Sequence, residues 1–206
     1  MAGNTVVLLP AASVARHLGW WCPAADLLGR IGPGCEVKLR AGIAEEDGEV
    51  AVERTRAVWL SVDRVEERLL YGTVTESSFD NDGYRAGDRI KAEVDRVFDV
   101  VFHDADGRPL LNEDRARFAI GKRVLVGVTE VSAVAEVLEQ HQFVAVIEAA
   151  DPRQGLSLRL ANGELRNLPP DLRGLEEAPP GEYRPRSTGQ VVTDPDFTMT
   201  WERRAP

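Results

Sequence analysis

Carboxylates crowd the stretch "YGTVTESSFDNDGYRAGDRIKAEVDRVFDV", residues 71–100: Asp80, Asp82, Asp88, Glu93, Asp95 and Asp99. Oxygen donors at that density suggest a calcium loop, which takes ligands at positions 1, 3, 5 and 12 around a glycine at position 6. Placing Gly83 at position 6 puts Asp80 and Asp82 at 3 and 5, but Ser78 at 1 and Arg89 at 12. A cation stands where the bidentate carboxylate belongs, so the stretch reads as a turn followed by an amphipathic strand. The second such stretch, "HDADG", fails too: with Gly107 at position 6, Phe102 falls at position 1. His103, Asp104 and Asp106 then read as a solvated turn, and no metal or cofactor is expected.

Other chemistries lack their signatures. His17, His103 and His141 form no HExxH pair, and the chain has no GxSxG elbow, no GxxxxGK[ST] loop and no GxGxxG. Cys22 and Cys35 are too far apart for a CxxC motif and too few for a zinc site, and read as reduced thiols. No catalytic residue is assigned. An enzyme, as a hydrolase with an unmarked site, is kept as an alternative.

Two sets of side chains are left as binding candidates. Asp63, Glu76, Glu93 and Asp95 line the wet face of the first group of strands. Trp59 and Tyr71 fall on the face away from Leu60 and Leu70, either under the N-terminal segment or as an exposed aromatic anchor. Arg159, Arg166, Arg184 and Arg186 form the set for a nucleic-acid-binding small barrel, a fold that binds through basic grooves and stacked aromatics. Composition weighs against that alternative. The chain has 206 residues, 34 acidic and 25 basic side chains, and a formal charge of −9, which repels a phosphate backbone. A basic protein partner suits it better.

The elements that must position these groups are mostly strands. "AVWLSVD" alternates Val58, Leu60 and Val62 with Trp59, Ser61 and Asp63; "RLLYGTVTE" and "RIKAEVDRV" alternate likewise. Three such strands predict a half-buried antiparallel sheet over 36–102, with turns at "DNDGY" and "RAGD". Residues 1–35 predict an N-terminal cap, with a short strand in "VVLLP" and a short helix in "PAADLLGRIGPG". Residues 103–116, with a D-G turn and a proline, predict a linker.

Residues 117–206 predict a small β-barrel unit, SH3-like or OB-like, which removes its edge strands by closing. "KRVLVGVT" alternates Val124, Val126 and Val128, and "QFVAVIEAAD" reads as a central strand. "LSLRLANGELRNL" places Leu156, Leu158 and Leu160 on one face before a tight Asn162-Gly163 hairpin turn. These leucines, with Val124, Val126 and Phe143, predict the core. "LPPDLRGL" reads as a turn and one helical turn, and "GEYRPRSTGQVV" as two strands about a Thr-Gly turn. "SAVAEVLEQH" fits a helix or a long hairpin. The fold class is thus mainly β, in two small units. No stretch is long and apolar enough for a membrane span, and the N-terminus makes a poor signal peptide, so the expected location is cytoplasmic.

The stretch from Val58 to Val100 resembles a family of small uncharacterised bacterial domains related to immunity proteins of toxin systems. The resemblance rests on a Trp-Val strand, a Gly-containing strand and a Gly-Asp pair opening a third strand, here Trp59, Val62, Gly72, Gly87, Asp88, Val97 and Asp99. The C-terminal stretch "LPPDL…PGEYRPRSTGQVV" is similar to a recurrent bacterial segment with no established activity. The resemblance implies a non-enzymatic protein-binding module, with a toxin as one kind of partner.

Overall fold

The computed structural model describes residues 6–43, 55–77, 83–185, 189 and 191–204. The fold is mainly β, with a nearly closed, barrel-like sheet and a few helices. The chain forms two compact units, dividing between Arg108 and Pro109.

In the first unit, β1 (Val6–Leu8), α1 (Ala11–Leu18) and α2 (Ala25–Leu28) precede β2 (Glu36–Ile43), β3 (Arg56–Glu66), β4 (Leu69–Ser77) and β5 (Arg89–Glu93). A single 3-10 turn, Val94–Arg96, leads into β6 (Val97–Val101). β2 through β5 form an antiparallel meander, and β6 returns to pair with β2. The chain thus returns to the first strand of the meander, where the sequence predicts only a half-buried sheet. β1 and β6 share one edge of β2: β1 takes Ala41–Ile43 and β6 takes Glu36–Leu39. Val58, Leu60, Val62, Leu70 and Val74 are buried, following the predicted alternation, as are Val37 and Leu39 of β2.

Two sequence expectations change in this unit. The "RIKAEVDRV" strand stops at Glu93, so Asp95 sits on the 3-10 turn and not on a strand face. α1 was not expected. It follows Pro10, which fixes an extended φ of −74°, and it ends at Gly19 in the left-handed region. The cap packs Leu9, Ala11 and Val14 on Phe98 of β6, with Trp20 and Cys22 at the margin.

The second unit opens with α3 (Glu113–Ala119), which starts inside the stretch expected to be linker and runs past its end. Asn112 caps it by accepting from Arg115 N at 3.2 Å, and Arg115 and Ala116 are buried, so the last residues of that stretch belong to the core. Then come β7 (Arg123–Val131), β8 (Val137–Asp151), β9 (Gly155–Leu160), β10 (Leu165–Leu168), β11 (Leu175–Glu177), β12 (Glu182–Tyr183), β13 (Val192–Thr193) and β14 (Phe197–Arg204). Six strands form one sheet in the order β10-β9-β8-β7-β14-β11, and β12 pairs with β13. All pairs are antiparallel except β14 with β7.

Val124, Val126, Leu156 and Leu158 are fully buried in one cluster with Ile147, Leu175, Phe197 and Met199, and Leu160 and Phe143 pack against it. The Asn162-Gly163 turn forms as expected, with Gly163 at φ 84° and Leu160 N donating to Glu164 O at 2.9 Å. "SAVAEVLEQH" is a hairpin and not a helix: Ser132–Glu136 make the turn and Val137 starts β8. "LPPDLRGL" holds a turn at Arg173-Gly174 without the helical turn expected there.

Candidate functional site

The cross-strand register of the first unit decides which candidates share a surface. Tyr71 on β4 stands between Lys91 on β5 and Arg64 on β3; Leu69 stands between Glu93 and Glu66; Thr73 stands between Arg89 and Ser61. A bulge at Asp63 keeps β3 in step with β4, and a second near Thr75 brings Glu76 opposite Trp59. The sheet thus presents one outer face, bearing Trp59, Tyr71, Asp63, Glu76 and Glu93 together. Gly72 allows the close approach. A Cβ there would lie 2.1 Å from Ser61 O, so no side chain fits on the inner side at that point.

The two aromatics share this face but differ in exposure. Trp59 is buried, 6% exposed, with Lys38 Nζ 5.6 Å from its ring. Lys38 is the direct strand partner of both Trp59 and Asp99, so a buried row runs Asp99–Lys38–Trp59 across β6, β2 and β3. Farther along β2, Arg40 is buried with its guanidinium 4.5 Å from the ring centre of Trp20. The N-terminal cap therefore covers that end of the face. Arg96 ties the cap down by donating to Leu8 O at 3.0 Å. Tyr71 lies away from the cap and is half-buried, with the Arg64 guanidinium stacked 3.9 Å from its ring centre.

The carboxylates are exposed, and most have a basic neighbour. Asp63 meets Arg89 at 3.4 Å, Glu93 and Asp95 meet Arg96 at 3.4 and 3.5 Å, and Glu66 meets Arg64 at 2.8 Å. The face is mixed in charge: an Arg–Tyr stack on the central strand, ringed by ions of both signs. Sequence reasoning missed its basic half, and also Lys38 and Arg40. The alternation of "EVKLRA" carries the signal for these last two, since Val37, Leu39 and Ala41 fill one side and leave Lys38 and Arg40 on the other.

The remaining candidates have local roles. Asp88 Oδ2 accepts from Arg85 N at 2.8 Å, and Asp104 Oδ1 accepts from Asp106 N and Arg108 N, both at 2.9 Å. His103 Nδ1 lies 3.1 Å from Gly34 O, and its Nε2 lies 3.7 Å from Glu36. Asp80, Asp82 and Arg186 lie outside the described residues. Among the described residues, no three His, Cys, Asp or Glu side chains converge as a metal site would need. Cys22 and Cys35 are free thiols, and burial pushes the Cys22 thiol up from its ordinary pKa.

In the second unit, Arg159 pairs with Glu148, Arg166 with Glu164 at 3.0 Å, and Arg184 with Glu182 at 3.3 Å. Arg166 also stacks over Phe143, 4.7 Å from its ring centre. The described arginines of the nucleic-acid set are thus each engaged by a carboxylate.

No known protein family, no curated protein and no solved structure matches this chain. No helix among the described residues is long and apolar enough to cross a membrane.

Proposed function

We propose that this chain is a non-enzymatic protein-binding module that docks a basic partner, in the role of an immunity or accessory protein of a bacterial toxin system. The observation that carries the binding part is the Tyr71–Arg64 stack within an exposed, ion-ringed sheet face. Tyr and Arg are the side chains most often enriched where interfaces draw their energy, and a polar rim around them is the usual surrounding. The formal charge of −9 suits a basic partner by steering its approach. The immunity role rests on the sequence resemblance over Val58–Val100. The nucleic-acid reading is weaker, because Arg159, Arg166 and Arg184 already face carboxylates.

The test has two levels. A toxin whose gene adjoins this one should arrest growth when expressed alone, and co-expression of this chain should restore growth. With such a toxin in hand, Tyr71→Ala should weaken binding by about thirty-fold, mostly through faster dissociation. Glu93→Gln combined with Asp95→Asn should slow association and flatten its salt dependence. Absence of protection sinks the immunity role, and unchanged kinetics in both variants removes this face from the interface.

A further inference from the structure

Lys38 and Asp99 are a buried amine and a buried carboxyl that the binding role above leaves unused. They are direct strand partners on β2 and β6, so both side chains leave the same side of the sheet. Strand partners of this kind stand about 4.5–5.5 Å apart at Cβ. Each residue is 1% exposed. A lysine at a sheet surface extends its ammonium into water. Here the whole side chain is enclosed, with Nζ 5.6 Å from the centre of the Trp59 ring. Asp99 is held in place as well, since its Oδ1 accepts from Val100 N at 2.8 Å. Phe98 and Val100 on either side of it are buried. The amine and the carboxyl are thus confined to one dry stretch of the sheet.

The residue type carries the next step. Of 25 basic side chains in the chain, only three are lysines: Lys38, Lys91 and Lys122. Arginine is the better residue for a buried ion pair, because its planar fork meets a carboxylate with two hydrogen bonds. In a chain that uses arginine almost everywhere, a lysine at this position supplies what arginine lacks, an amine that becomes a nucleophile once it loses its proton. Burial disfavours charge on both groups, and passing a proton from Lys38 to Asp99 leaves a neutral amine facing a neutral acid.

We propose that Lys38 and Asp99 join in an intramolecular amide bond. Lys38 Nζ attacks Asp99 Cγ, the N–C bond forms, and the C–OH bond of the acid breaks. The departing hydroxyl takes a proton from the amine and leaves as water, so no oxidant, reductant or co-reactant is consumed. Groups fixed beside each other react at a high effective concentration, and exclusion of water shields the amide from hydrolysis. The link ties β6 to β2, the pairing by which the chain returns to the first strand of the meander. β2 itself carries one carboxylate, Glu36, on the same side as Lys38 and 3.7 Å from His103 Nε2. The inference does not rest on the binding role proposed above.

The test is the mass of the unfolded full chain, followed by tryptic mapping under reducing conditions. The chain should weigh one water less than its sequence requires. Lys38 in an amide is no longer a tryptic site, so mapping should yield a branched peptide that joins residues 31–40 to residues 97–115. Asp99→Asn should form the same link with loss of ammonia in place of water. Lys38→Arg keeps the cation but cannot form the bond, and should show its full mass. Full mass in the parent chain, a lost water confined to one of the two peptides, or a loss that persists in Lys38→Arg overturns the proposal.

Discussion

Replacing Gly72 with Ala probes the geometry that places Tyr71 on its face. Gly72 is the direct partner of Val62, beside the β3 bulge at Asp63. An added Cβ would lie 2.1 Å from Ser61 O and 2.9 Å from Leu60 Cγ. Ordinary carbon contacts sit near about 3.5–4.0 Å, so both neighbours must give way. The leucine tip can turn, but Ser61 O belongs to the backbone of β3 and moves only if β3 and β4 separate. Overpacking of this kind costs about 1–3 kcal/mol, and lost ladder hydrogen bonds add about 1 kcal/mol each. A total of about 3 kcal/mol lowers the melting temperature of a unit this size by roughly 12–24 °C. Scanning calorimetry measures the shift. Gly127→Ala is the matched control, because a Cβ at that strand position meets nothing within 4 Å. The control should stay within about 0.5 kcal/mol of the parent. A Gly72→Ala protein that melts within about 4 °C of the parent, or shifts no more than the control, refutes the close approach of β3 and β4.

Further expectations concern the second unit. Leu158 is fully buried in the cluster with Leu156, Ile147 and Phe197, so Leu158→Ala should cost about 2–5 kcal/mol in urea unfolding; a loss below about 1 kcal/mol would contradict the assigned burial. Asp151 accepts from Gln154 N at 2.9 Å and Arg153 N at 2.8 Å, and these bonds hold its carboxyl below its ordinary pKa. A depressed folded pKa gives stability that is complete above the ordinary carboxylate range and is lost as pH falls through the folded value. Stability measured from roughly pH 5 to pH 3 should fall less steeply in Asp151→Asn than in the parent, and identical slopes would remove Asp151 from the acid response.

The sequence by itself determined where most strands run and which way their side chains point. Val58, Leu60 and Val62, or Leu156 and Leu158, alternate with polar residues, and one buried face per strand follows from the two-residue period of the pleat. The Asn162-Gly163 hairpin was legible for a similar local reason, since the turn needs a left-handed backbone that glycine takes without strain. These rules act within a few residues, so no knowledge of distant chain was needed. The long-range pairings were not legible. That β6 closes onto β2, or that β14 lies parallel to β7, depends on contacts between segments far apart in sequence. Local alternation leaves the choice of strand neighbour open.

The same limit explains the site. Trp59 and Tyr71 share an alternation phase and hence a face, and the sequence placed them together. The difference in their burial follows from where the N-terminal cap docks and from the row of Lys38 and Asp99 beside Trp59. Asp95 left the strand because a 3-10 turn carries the chain from one side of the barrel to the next, a need set by closure and not by local preference. The pairing of Asp63 with Arg89 likewise came from the tertiary fold, because register, and not spacing along the chain, decides which charges meet across strands, whereas Glu93 and Arg96 meet locally, three residues apart across the 3-10 turn.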